Sequence, residues 1–196
     1  PVSSDYAVMR NSLIPQMVDT LGRNLARQVD NASLFEIGRV FQKDSGGKIS
    51  EEDRLCIGLM GKAGRTGLNK RRPVEKDEIF LWVKGIIEAM VCAQHVDNMA
   101  FKPVESDAME RGWAVSIDVG GQPCGVLGLI KPEIRKTWRM IEPVAVAEMS
   151  VSALIGRMRR LLICIVLRLR SSQWFLSMLL LLPLIRLQTA LNLGCR

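Results

Sequence analysis

The sequence predicts an α+β fold, an antiparallel sheet covered by helices, and three observations carry that expectation. Two β-prone runs, residues 113–119 and 122–129, flank Gly120-Gly121, the clearest hairpin signal in the chain. Apolar residues at helical spacing mark amphipathic helices over residues 12–27 and 80–93, inserted between groups of strands. The strict strand–helix alternation of a doubly wound parallel sheet is missing, and no internal repeat is present.

Each element has its own reason. In the first helix Leu13, Ile14, Met17, Val18, Leu21 and Leu25 share one side, while Gln16, Asp19, Arg23 and Asn24 fill the other. Asn11 or Ser12 caps its start, and Pro15 falls within the first turn, where its missing N–H is tolerated. Upstream, residues 6–10 (YAVMR) are short, apolar and compatible with a strand. Residues 34–41 (LFEIGRVF) read as a strand with imperfect alternation, in which Gly38 marks a bulge or a close backbone approach. Residues 44–48 (DSGGK) make a turn, and 54–60 a further strand. Residues 61–78 are polar and glycine-containing and are expected as a surface loop. The second helix follows over 80–93, with Leu81, Ile86, Ile87, Met90 and Val91 available for one face. Residues 99–104 form a strand, the Gly-Gly hairpin comes next, and residues 144–150 complete the sheet before a short helix near 152–158.

Charge divides the chain in two. Of its 196 residues 27 are basic and 20 acidic, but residues 151–196 hold seven arginines and no Lys, Asp or Glu. Taking those seven from the 27 leaves 20 basic against 20 acidic residues in the first 150, so the whole net charge of +7 belongs to the tail. Leucine shifts in step, with 14 in the last 46 residues against 10 before them. The tail lacks an uninterrupted apolar run long enough to span a bilayer, because Arg168 and Arg170 break it and residues 174–185 are too few.

No catalytic set emerges from the residue chemistry. Five cysteines at 56, 92, 124, 164 and 195 never approach C-x-x-C spacing, which argues against a paired zinc site and for a reduced, cytoplasmic setting. No basic-then-apolar leader is seen at the start. His95, the only histidine, has no nucleophile signature near it and reads as a helix-end residue. Cys56, Cys92 and Cys124 lie in apolar runs and are expected to be small buried hydrophobes. Residues 58–67 (GLMGKAGRTG) resemble a phosphate loop only superficially, since no Gly-Lys-Ser/Thr ends the run and no helix pattern follows. Lys70-Arg71-Arg72 are answered by Glu75, Asp77 and Glu78 and read as a solvated loop, with no stacking aromatic beside them.

Longer runs are more informative. PVSSDYAVMRNSLIP at 1–15, RNLAR at 23–27 and LFEIGRVF at 34–41 stand in the order and spacing found in one family. FLWVKGIIEAM at 80–90 and GVLGLIKP at 125–132 continue the pattern. Residues 1–154 thus resemble the class II synthetase-type domain of the β subunit of bacterial phenylalanine–tRNA ligase. Leu129-Ile130-Lys131 and Val104-Glu105-Ser106-Asp107-Ala108 depart from the family pattern. The resemblance implies a class II aminoacyl-tRNA synthetase-like core without catalytic, cofactor-binding or metal-binding residues of its own. It further implies an α-subunit partner that activates phenylalanine with ATP and Mg²⁺, a heterotetramer of two α and two β chains, tRNA in the complete complex, and no membrane. Class II catalysis uses a motif-2 arginine and a Gly-x-Gly-x-x-Arg motif. Arg39 is the one positional candidate for the first, and the second is absent from the sequence.

The tail, residues 155–196, departs from the anticodon-binding module that would follow. Its Leu/Arg excess without Lys, Asp or Glu is the composition expected of a reading-frame shift. Codons permitted for residues 173–179, reread one base earlier, allow Ala-Met-Val-Leu-Val-Asp-Ala, which resembles that module's opening strand. An alternative to the ligase reading is a basic adaptor that uses residues 62–72 and the tail to hold RNA or a membrane surface.

Overall fold

A computed structural model describes residues 9–43, 46–62, 72–93 and 98–154. The order is α1 (Ile14–Ala26), β1 (Ala32–Lys43), β2 (Ile49–Met60), α2 (Lys76–Ala93), β3 (Met99–Pro103), β4 (Met109–Val119), β5 (Gln122–Ile130), α3 (Pro132–Thr137), β6 (Val144–Ser150) and α4 (Val151–Leu154). The six strands form one antiparallel sheet in the order β1-β2-β6-β5-β4-β3. The expected helix-covered antiparallel sheet is therefore the observed fold.

The pleat sends alternate residues to opposite faces, and each face has its own helix. A Cβ on Gly58 would meet the Met17 and Leu21 side chains, so α1 lies directly on this side of β2. Leu13, which precedes α1, and Met17 and Leu21 within it are buried there with Val40, Cys56 and Val146. Full burial of a side chain of this size contributes about 1.5–3 kcal/mol, so this seam is what fixes α1. On the other face Ile79, Val83, Ile87 and Val91 of α2 are buried against β2, β5 and β6. All seven residues of β6 are buried, as expected of a central strand covered on both sides. Phe80 meets Trp113 edge-on with ring centroids 5.7 Å apart, and Lys84 Nζ lies over the Phe101 ring at 4.8 Å.

Several boundaries differ from expectation. Residues 6–8 of the expected first strand lie outside the described residues, and Met9 and Arg10 are not in a strand. Arg10 still meets the sheet edge, its carbonyl accepting from Phe41 N–H at 2.9 Å. β2 begins at Ile49 rather than 54, because the polar run Ser50-Glu51-Glu52-Asp53 still pairs with the end of β1. α2 begins at Lys76 inside the expected loop, where Asp77 and Glu78 face the positive end of the helix dipole. α3 was not expected at all. β1 carries no bulge at Gly38, since its register with β2 is continuous. The Gly120-Gly121 turn has positive φ at both residues (60° and 80°), the twist a two-residue hairpin needs. At the far edge β3 is short and ends on Pro103. The chain divides between Leu154 and Ile155. Residues 155–196, with the expectations made for them, lie outside the described residues.

Candidate functional site

The polar residues that matter converge on the α1 face of the sheet. Glu148 interrupts the apolar run of β6, and its side chain is only 3% exposed. Its Oε1 accepts from the Leu13 backbone N–H at 2.6 Å, and its Oε2 accepts from Ser12 Oγ at 2.9 Å. A strand carboxylate thus shares the N-terminus of α1 with Ser12, one of the two expected caps, whose Oγ accepts from the Ile14 N–H at 3.1 Å. Arg54 of β2 lies between two acids, with Nε on Glu52 at 2.9 Å and a second nitrogen 3.5 Å from Glu148. Burial pushes the Glu52 carboxyl up, but hydrogen bonds from Ser150 and Arg54 outweigh it and hold the group below its ordinary value. Glu52, Arg54, Gln122, Cys124, Ser150 and Ser152 line a shallow depression at this end of the sheet. Every charge there is already answered by a neighbour, so the depression offers no free cation to a phosphate.

Arg10 makes a second link. Its guanidinium donates to Glu36 at 2.8 Å, to Gln16 of α1, and to the Arg39 carbonyl at 2.9 Å. Gly38 makes room for it, because a Cβ there would sit 2.3 Å from the guanidinium. The close approach expected as one alternative for Gly38 is therefore to a side chain.

Arg39, the positional candidate for a motif-2 arginine, is engaged on the exposed hairpin. It contacts Glu51 at 2.9 Å and Asp53 at 3.1 Å, and its pKa is raised mainly by the hydrogen bond and charge of Asp53. Cys56 is buried, and burial with the charges of Glu148 and Glu36 raises its thiol well above the ordinary value, so it is no nucleophile. Cys124 is half-buried and donates to the Ile117 carbonyl at 3.2 Å. Cys92 is exposed, contrary to expectation, because it falls on the outward side of α2. The run that superficially resembles a phosphate loop starts as strand, with residues 58–60 inside β2, while 63–67 lie outside the described residues. Arg72 pairs with Glu78 at 3.3 Å, while Lys70, Arg71 and His95 lie outside the described residues. Among the described residues no group of three or more His, Cys, Asp or Glu could hold a metal, and no helix is long and apolar enough to cross a membrane. Sequence reasoning missed Arg10, Arg54 and Glu148. The one signal that pointed to them was a single acid, Glu148, within a run of otherwise uncharged strand residues.

Comparison with known proteins gives this architecture its lineage. Residues 1–151 match the model of the phenylalanyl tRNA synthetase beta chain CLM domain. The chain belongs to this family. Among curated relatives, the phenylalanine–tRNA ligase β subunit of Dehalococcoides mccartyi (strain CBDB1) is 32% identical over 157 residues, covering 80% of this chain and 19% of the relative. That of Bacillus subtilis is 31% identical over 161 residues, again covering 80% and 19%. The chain therefore spans about one fifth of the length of these β subunits. A solved pyrrolysyl tRNA synthetase from Desulfitobacterium hafniense shares the fold, with a TM-score of 0.53, 18% identity, and coverage of 74% of this chain and 47% of the other. The phenylalanyl tRNA synthetase β-chain domain is thus a class II synthetase-like α+β domain.

Proposed function

We propose that this β-chain domain is a non-catalytic platform that docks to the α subunit of phenylalanine–tRNA ligase and supports ATP-dependent charging of tRNA with phenylalanine in the cytoplasm. The α subunit supplies the ATP and Mg²⁺ chemistry, within an assembly of two α and two β chains, and this chain contributes no catalytic, cofactor-binding or metal-binding side chain. One observation carries the reading. In a domain of this family Arg39 lies on the exposed hairpin between Glu51 and Asp53, so a phosphate approaching it would meet two carboxylates. Two further features support it: the sequence has no Gly-x-Gly-x-x-Arg, and the junction from β6 into α4 (Glu148-Met149-Ser150-Val151-Ser152-Ala153) contains neither glycine nor arginine. The residues present do not fit a nucleotide. Domain organisation follows the same reading, with residues 1–154 as the platform and 155–196 as a tail read in a shifted frame, which the encoding DNA sequence checks directly.

Co-expression with an α subunit tests the proposal. Capture of α by the tagged chain, with no aminoacyl-adenylate formed by the chain alone, is the expected result. Adenylate formation by the purified chain, or failure to retain α, overturns it.

A further inference from the structure

Two apolar features on different parts of the described body are open to solvent, and the first is a turn. Ile141, in the loop between α3 and β6, is 93% exposed. The backbone that presents it is fixed from within. The buried Arg135 guanidinium donates to the Ile130 carbonyl at 3.2 Å, the Ile141 carbonyl at 2.9 Å and the Glu142 carbonyl at 2.7 Å. Met140 is buried just before Ile141, and the Glu142 carboxylate just after it accepts from the Val74 N–H at 3.0 Å. An apolar side chain held outward on such a turn has little freedom left to lose on binding. Lys136 and Arg139 accompany it, linked by the Arg139 N–H on the Lys136 carbonyl at 3.0 Å. Both are exposed, and neither enters an ion pair among the described residues, while the acid Glu133 lies at the opposite end of α3.

The second feature is a ledge on the α2 side of the sheet. Ala32 and Val40 belong to the core under α1 and Leu34 packs against it, so the alternate residues Phe35 and Ile37 project from the opposite face. There α2 packs on β2, β6 and β5. Its Phe80 and Lys84 meet Trp113 of β4 and Phe101 of β3, so helical geometry turns Trp82 and Ile86 toward β1. Phe35 is 40% exposed, and Ile37, Trp82 and Ile86 are half-buried, which leaves an apolar strip between α2 and the outer strand. Further along β1 the strip ends in charge. Arg39 stands there between Glu51 and Asp53, one cation against two carboxylates, each more than half exposed.

We infer that the turn of one copy of this chain seats in the ledge of a second copy, head to tail. Ile141 fills the strip beside Phe35 and Ile37, and Lys136 and Arg139 meet Glu51 and Asp53, where a guanidinium grips a carboxylate by its fork. Charge selects this arrangement over a symmetric one. Turn on turn sets cations against cations, and ledge on ledge sets the surplus carboxylates against each other. Because turn and ledge are different surfaces, the contact is heterologous, and a pair of copies still presents one free turn and one free ledge. A single anchor side chain with a charged rim suits a weak, reversible association.

Sedimentation velocity on the full 196-residue chain, over a rising series of concentrations, tests this. The parent should self-associate, less so as salt is raised. Ile141→Asp, at a site too exposed to matter for folding, should weaken association about tenfold or more. Lys136→Glu/Arg139→Glu should weaken it as well, whereas Val104→Asp, an exposed apolar position after β3, should leave it unchanged. Phe35→Lys removes the ledge and keeps the turn. Mixing it with Ile141→Asp, which keeps the ledge, should restore a dimer that cannot grow, as only a heterologous contact allows. A parent that stays monomeric, association indifferent to Ile141→Asp, or a mixture that stays monomeric overturns the inference. So does a Phe35→Lys chain that loses capture of an α subunit while self-associating as the parent does, which would assign the ledge to α. Failure of the parent to capture α, with this self-association intact, would count against the docking proposal alone.

Discussion

Glu148→Gln isolates the link between sheet and helix. The carboxylate accepts from the Leu13 N–H at 2.6 Å and from Ser12 Oγ at 2.9 Å, and it lies 3.5 Å from Arg54. Hydrogen bonds to charged groups contribute about 1.5–3 kcal/mol each, roughly twice a neutral one. Glutamine keeps the shape. The Leu13 N–H can only donate, so the amide oxygen must face it, and the amide NH₂ is left to donate to Ser12, whose hydroxyl can turn to accept. Both bonds survive at about half strength, and Arg54 keeps Glu52 alone. Relief from burying a charge works the other way, so the net loss should be about 1.5–2 kcal/mol. For a chain of this size that lowers Tm by about 3–8 °C. Glu148→Ala also strands the Leu13 N–H, and should cost about 3–5 kcal/mol. Urea unfolding followed by circular dichroism measures both, and hydrogen exchange at Met17 and Leu21 should accelerate in step. A Glu148→Gln variant within about 0.5 kcal/mol of the parent, or an alanine variant no worse than glutamine, would refute this account of how α1 is held.

Other consequences follow from the same geometry. Gly125→Ala should destabilise by about 2–3 kcal/mol or block folding, because its Cβ would lie 2.4 Å from the Glu148 carbonyl oxygen and 2.5 Å from Met149 Cβ; a melting curve checks this. Among the three described cysteines, mass mapping after brief alkylation should find Cys92 modified first, Cys124 slowly, and Cys56 only after unfolding. The Asp118 carboxyl is held below its ordinary 3.8 by hydrogen bonds from Lys102 and Ser116, and Glu52 below its ordinary 4.5. A depressed folded-state pKa stabilises the fold above the unfolded value and loses that contribution as pH falls through the folded one. Stability should therefore drop as the pH falls through about 4.5 and below, and Asp118→Asn should shallow that slope in acid titrations followed by fluorescence.

The fold was legible where side-chain periodicity and turn chemistry agree. The apolar face of α1 and the Gly120-Gly121 hairpin needed no long-range information. The imperfect alternation of β1 has a physical cause visible only in three dimensions: Glu36 and Gly38 break the apolar set to accommodate Arg10, which is 26 residues from Glu36 in sequence. α3 escaped notice because six residues opening on Pro132 carry too little periodicity, and because Arg135, a charged residue, fills its inward position. The start of β2 was missed since residues 50–53 are polar and residues 49–53 pair only with β1. In the Glu148 cluster the local pattern marks only the lone acid in β6; its hydrogen-bond partners are 135 and 136 residues away and carry no local signal.

The two margins of the sheet differ in their susceptibility to misassembly. β3 is five residues long, ends on a proline that lacks an N–H, and carries Lys102, so a stray strand finds little to extend there. β1 has twelve residues, Phe35 is 40% exposed, and among the described residues outside the sheet the contact printed on its outer rim is that of Arg10, whose carbonyl accepts from Phe41 N–H and whose side chain donates to the Arg39 carbonyl. Should copies of this domain accumulate and begin to fibrillise, growth would start from the β1 rim. A lysine in place of Phe35 would be the simplest guard against it.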